Sequence, residues 1–185
     1  MSTSAKVSIA SGLVSLAAIA LAWNGTPSTL VMPYEMHKLA HILGVVVFGG
    51  NLVVGPVWFI FAFLSRDKGH LAFAARALAK ADIFLTVPGI QLTVWNGVFL
   101  ATVFGGVRSQ PWLVESMVTL VVMSVFSMAL VLPAQEKLVR LCEQGADLAT
   151  MKVPLALWSL WGTLVGVPLG LVLYLMVSKQ AVFSG

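Results

Sequence analysis

The chain has 185 residues, of which 59% are hydrophobic and 10% charged, and its mean hydropathy is +0.96. Soluble domains carry about 25% charged residues, so an ordinary globular domain is excluded and the chain belongs in a lipid bilayer. The net charge of +4 reads as the basic loops of a membrane protein and not as a nucleic-acid footprint. The single cysteine, Cys142, excludes an intrachain disulfide and a Cys-based metal cluster.

Five apolar segments follow one another, each near the roughly 20 residues that a bilayer requires. The first, about 7–23, is "VSIASGLVSLAAIALAW". It also resembles a signal peptide with an A-x-A site, and it is read as a transmembrane helix or uncleaved anchor. The second covers about 36–64 and ends before "SRDKGH". The third, about 78–104, is interrupted at Pro88-Gly89, and the fourth, about 112–132, is closed by Pro133. The polar stretch "AQEKLVRLCEQGADLATMK" prolongs the fourth helix beyond the membrane and turns near Gly145. The fifth segment is about 154–177.

The expected fold is an all-α polytopic membrane bundle. It has a four-helix core over 34–178, an additional N-terminal helix and outer loop over 1–33, and a short tail at 179–185. Lys6, Arg66, Lys68, Arg76, Lys80, Lys137, Arg140 and Lys152 fall on one side of these spans, against Lys38, Arg108 and Lys179 on the other. Basic residues concentrate on the cytoplasmic side, so the N-terminus is expected inside and the His37/His41 end outside.

Polar residues inside the spans define the candidate sites. His37, His41, Gly44, Phe48, Asn51 and Gly55 step by four or three residues, so they line one face of the second helix. A face of that composition points into protein, because polar groups in hydrocarbon are costly. Asn51 is expected to find an interhelical partner, with Gln91 and Asn96 nearest by depth. His37 and His41, four apart, can hold one copper or zinc ion from one side. Met32 and Met36 lie close by, and thioethers suit Cu(I). Both rings leave the same helix face, so they cannot sandwich a haem, and a haem would use one of them with a second ligand from elsewhere. The structural alternative is a hydrated His37 and a His41 bonded to a neighbouring helix.

Lys38 either snorkels to the outer headgroups or stands by His41 and keeps its imidazole neutral. Asp82 is read as a charge at the cytoplasmic end of the third helix, paired with local basic residues. Glu115 is read as a helix-start acid, with completion of a metal site at the His37/His41 end as the other role. His70 is read as a solvated loop residue. Gly162, Gly166 and Gly170 form a stripe on which a second helix backbone can approach closely, from this chain or from another. No phosphate-cradling loop, HExxH or nucleophile elbow is present.

The stretch "KLAHILGVVVFGGNLVVGPVW" resembles the opening helix of the CopD-like superfamily, nearest to a family of predicted integral membrane proteins within it. "VPGIQLTVWNGVFLA" and "PWLVESMVTLVVMSVFSMALVLPAQEKLVRL" are similar to its second and third helices. The resemblance covers about 34–178 and implies a bacterial inner-membrane bundle. It includes copper-resistance proteins and the haem-binding HemJ-type protoporphyrinogen oxidase, so it implies haem b or copper as the group handled. His41 would match the family histidine and Lys38 the lysine before it. Glu115 and Ser116 stand where the HemJ-type oxidase has a lysine, so protoporphyrinogen oxidation is not expected. Three functions remain open. One is a haem-b redox or haem-handling protein with His41 as axial ligand. The second is a copper-handling protein using His37, His41, Met32 and Met36. The third is a non-catalytic subunit that docks on partner helices or on its own copies.

Overall fold

Residues 2–183 are described by a computed structural model. The apolar runs become five helical spans: Thr3–Trp23, Tyr34–Leu64, Lys68–Phe104, Pro111–Glu143 and Leu148–Ser178. Helix α1 (Thr3–Trp23) is capped by Ser2, whose hydroxyl accepts from the Ala5 N–H. Helix α2 (Tyr34–Leu64) has 31 residues, so it is roughly 46 Å long at 1.5 Å per residue and outreaches the hydrocarbon core.

The third span begins ten residues earlier than the hydropathy indicates. Helix α3 (Lys68–Ala81) starts at an Asp67 cap that accepts from the Gly69 and His70 N–H groups at 2.7 and 3.1 Å. The "SRDKGH" loop thus shrinks to a three-residue turn. Its hidden signal is the spacing of Leu71, Ala75 and Leu78, which put one apolar face inward on an otherwise polar helix. A π turn over Asp82–Thr86 joins α3 to α4 (Val87–Ala101).

The fourth span repeats the device. Helix α5 (Pro111–Phe126) passes through a π turn at Ser127–Val131 into α6 (Leu132–Glu143). Each π turn lies just before a proline, Pro88 or Pro133. Proline lacks an N–H and clashes with the carbonyl four residues back, and the wider turn absorbs both problems without ending the helix. Pro133 therefore does not close its helix. The chain reverses at Gly145, with φ of 66°, and α7 (Leu148–Ser178) returns across the bundle.

Helix α4 lies between α1 and α2, while α7 packs on α5 and α6 and barely touches α2. Two apolar cores result. Near one end, Ala18 and Ile19 of α1, Val98 of α4, Leu113 of α5 and Leu175 of α7 meet. Near the other, Phe59 of α2, Leu71 of α3, Leu138 of α6 and Met151 and Trp158 of α7 meet.

Helix α1 is built into the bundle. Ser11, Ser15, Ala18 and Ala22 face inward, and the Gln91 amide donates to the Ser11 hydroxyl at 2.7 Å and the Ser15 hydroxyl at 3.0 Å. The closest helix approach is α2 on α4. A Cβ at Gly44 would stand 2.6 Å from the Gly89 carbonyl oxygen, and one at Gly89 would stand 2.8 Å from the Phe48 nitrogen. Within this one chain no helix backbone stands against the stripe on α7. Nothing lies within 4 Å of a Cβ at Gly162 or Gly170, and Gly166 meets only Leu52 at 3.7 Å. Small residues do bring two backbones together here, but they are Gly44 and Gly89.

Candidate functional site: a histidine pair and a polar cluster between the spans

The face of α2 predicted to point inward does so, against α4. His37 is 1% exposed. Its Nδ1 lies 2.8 Å from Asn96 Oδ1, and its Nε2 accepts from the Met32 N–H at 3.3 Å. Phe99 stacks on the ring at 4.8 Å between centroids. The Asn96 amide N–H donates to the Leu92 carbonyl, which turns its oxygen to His37. Both nitrogens of His37 are therefore occupied, with the proton on Nδ1. The expectation of a hydrated His37 is reversed, because the connection between α1 and α2 folds over the ring and supplies the Met32 N–H. Hydropathy cannot show such a return.

His41 is half-buried. Its Nδ1 donates to the Thr93 carbonyl at 2.7 Å. That bond fixes the tautomer and leaves a lone pair on Nε2, which has no protein partner among the described residues. The ring fits beside α4 because residue 97 is glycine: a Cβ there would stand 2.9 Å from His41 Cε1.

The other residues of this end disperse. Lys38 is exposed, its ammonium 5.8 Å from the Tyr34 ring centroid, in a snorkelling pose. Met32 and Met36 are 43% and 52% exposed. Glu115 does not join the histidines. Its carboxylate accepts from the backbone N–H groups of Val182 and Phe183 at 2.7 and 2.8 Å and pins the C-terminal tail. No group of three or more His, Cys, Asp or Glu that could hold a metal occurs among the described residues.

A second polar site lies midway along the spans, and the sequence reading missed it as a site. Asn51 of α2 donates to Thr86 Oγ1 at 2.7 Å and to Asp82 Oδ1 at 3.3 Å. The Thr86 hydroxyl donates to Asp82 Oδ1 at 3.2 Å. The Gln135 amide of α6 donates to Asp82 Oδ2, and Trp158 of α7 donates to Gln135 Oε1 at 3.3 Å. Four spans thus meet around one carboxyl group. Two expectations are corrected. Asn51 pairs with Asp82 and Thr86, whereas Gln91 serves α1 and Asn96 serves His37. Asp82 is no helix-end charge, because α3 supplies fourteen residues ahead of it and carries it roughly 21 Å into the span. The signal available in the sequence was the acid six residues before Pro88, where a π turn is needed.

His70 is exposed on the first turn of α3, its Nδ1 3.2 Å from Ser65 Oγ. Beside it, the backbone N–H groups of His70 and Gly69 hold the exposed Asp67 carboxyl below the usual aspartate range.

Five apolar spans around buried polar side chains define an integral membrane helical bundle, which sits in a lipid bilayer. The chain belongs to the family of predicted integral membrane proteins designated DUF2269, whose model matches residues 35–180. No curated protein and no solved structure matches it.

Proposed function

We propose that the protein is a haem-b redox or haem-handling protein of the bacterial inner membrane, with His41 as the axial ligand and the N-terminus on the cytoplasmic side. One observation carries the reading: His41 gives its Nδ1–H to the Thr93 carbonyl at 2.7 Å. A backbone carbonyl on the far nitrogen is the usual second partner of a ligating histidine, orienting the ring and raising its basicity. The donor chemistry therefore fits one axial position, with Gly97 making room for the ring. When bound, haem supplies one-electron chemistry. The chain's part is to hold Nε2 unprotonated, fix the ring and keep His37 out of competition. The resemblance of residues 38–58 to the CopD-like opening helix points the same way.

The copper reading fares less well on the same geometry. His37 would have to release the Met32 N–H from Nε2 to bind a metal there, and a lost buried hydrogen bond costs about 1–3 kcal/mol.

The test is the absorption spectrum of the protein purified in mild detergent, with metal analysis of the same sample. A Soret band is expected, lost or shifted in His41→Ala and kept in His37→Gln. Absence of the band, or a band indifferent to His41→Ala, refutes the haem reading. Stoichiometric copper lost in both histidine variants would establish the other one.

A further inference from the structure

Asp82 lies in the middle of a membrane span with no cation paired to it among the described residues. Every side chain bonded to it is neutral: Asn51 from α2, Thr86 from its own turn and Gln135 from α6. No charged group of α1, α3 or α4 joins them. An ionised carboxylate held in such a place costs several kcal/mol unless a counter-charge is near. A lysine or arginine partner would lock it in the charged form. Amides and hydroxyls do not, since each can donate to a carboxylate or turn and accept from a carboxylic acid. Asn51 and Thr86 can thus serve the group in either protonation state, while Gln135 is held as a donor by the Trp158 N–H on its Oε1.

A cavity of about 570 Å³ lies between α2 and α3. Its lining is mostly apolar, with Val54, Trp58, Phe61 and Phe73 exposed along it, and Ser65, His70 and Asn51 are its polar members. His70 is the one titratable side chain that lines it among the described residues. Asn51 stands at the inner end with its amide already on Asp82.

We infer that the Asn51–Asp82–Thr86–Gln135 cluster is an intramembrane proton-binding site. On release, the O–H bond of the Asp82 carboxyl breaks and the proton passes to water. The carboxylate left behind accepts from Asn51, Thr86 and Gln135. On uptake the proton returns and one amide turns its oxygen toward the new O–H. The site is separate from His41 and stands whether or not a haem is bound there.

The experiment is pH-difference infrared spectroscopy on the full chain reconstituted in phosphatidylcholine vesicles, with dicyclohexylcarbodiimide labelling mapped by mass spectrometry. The expected result is a protonated-carboxyl band near neutral pH that vanishes in Asp82→Asn, persists in Asp67→Asn and shifts in Asn51→Leu. Carbodiimide should label Asp82 in the unmutated protein, with the rate falling about tenfold per pH unit once the carboxyl ionises. The labelling needs no variant, so a misfolded Asp82→Asn leaves the test intact. An Asp82 that stays ionised from pH 5 to 9, or never reacts, overturns the inference.

Discussion

Replacing Gly44 by alanine tests the α2–α4 contact on which the histidine site depends. The added Cβ would fall 2.5 Å from Thr93 Oγ1 and 2.6 Å from both the Gly89 carbonyl oxygen and the Thr93 nitrogen. Two of these three atoms are backbone, so no side-chain rotation relieves them. They are about 0.8 Å inside the 3.4 Å at which ordinary contact begins, and the helices must part by about that much. The His37–Asn96 and His41–Thr93 bonds, at 2.8 and 2.7 Å, then stretch to about 3.5 Å, where a hydrogen bond is all but lost. Overpacking costs about 1–3 kcal/mol, and an interhelical hydrogen bond in a membrane is worth about 0.6 kcal/mol. The sum is a loss of about 2–4 kcal/mol. SDS titration of the protein in mixed micelles, followed by tryptophan fluorescence, measures it. Gly50→Ala is the control, because nothing lies within 4 Å of a Cβ there. Equal stability of Gly44→Ala and Gly50→Ala would refute the close approach and the geometry of both histidines with it.

Gly97→Ala places a Cβ 2.9 Å from His41 Cε1, so the ring must turn off the Thr93 carbonyl. The Soret band expected of the protein should shift or weaken while the SDS midpoint moves less than in Gly44→Ala. Asn96→Leu strands the Nδ1–H of a fully buried His37, and the same titration should show a loss of about 1–3 kcal/mol. Asp67 caps α3 through a carboxyl held below the usual aspartate range by the His70 and Gly69 N–H groups. A depressed carboxyl contributes its stabilisation above the unfolded value and loses it as pH falls through the folded one. Protection of the Gly69 and His70 amides, taken relative to their intrinsic exchange rates, should therefore hold at neutral pH and fall only in acid below the ordinary 3.8, and in Asp67→Ala it should be absent throughout. Gly162→Ala and Gly170→Ala should leave the stability of the single chain unchanged, since open space surrounds both.

The spans and the inward face of α2 were legible because both are periodic properties of one helix. A step of three or four residues puts His37, Gly44 and Phe48 on one side, and all three are buried. What that face meets is a property of two helices and of their offset, and no single-helix pattern encodes it. Asn51 shows the limit. Depth counted from hydropathy aligned it with Gln91, but α3 begins at Lys68 under a polar sequence, and the offset brings Asp82 to Asn51 instead. His37 shows the other limit. Its burial depends on ten residues between α1 and α2 that have no period to read.

The two π turns tie these errors to the candidate sites. An α-helix repeats every 3.6 residues, and one extra residue in a turn rotates everything beyond it by about 100°. In a regular helix Leu71 and Gly89, eighteen residues or five whole turns apart, would share one face, so the turn at Asp82–Thr86 sets the face of α3 that carries Leu71 and Leu78 about 100° from the face of α4 that carries Gly89, Thr93 and Asn96 against α2. The same turn holds Asp82 where Asn51 and Gln135 both reach it. Pro88 is therefore more than an interruption in an apolar run. It makes the regular helix costly at that point, so the wider turn becomes the low-energy path, and the carboxyl group and the histidine partners of α4 are set in register by one local choice. A Pro88→Ala chain, free to close a regular helix, should disturb the Asp82 infrared band and the His41 spectrum together. Loss of either signal alone would mean that the two sites are positioned independently.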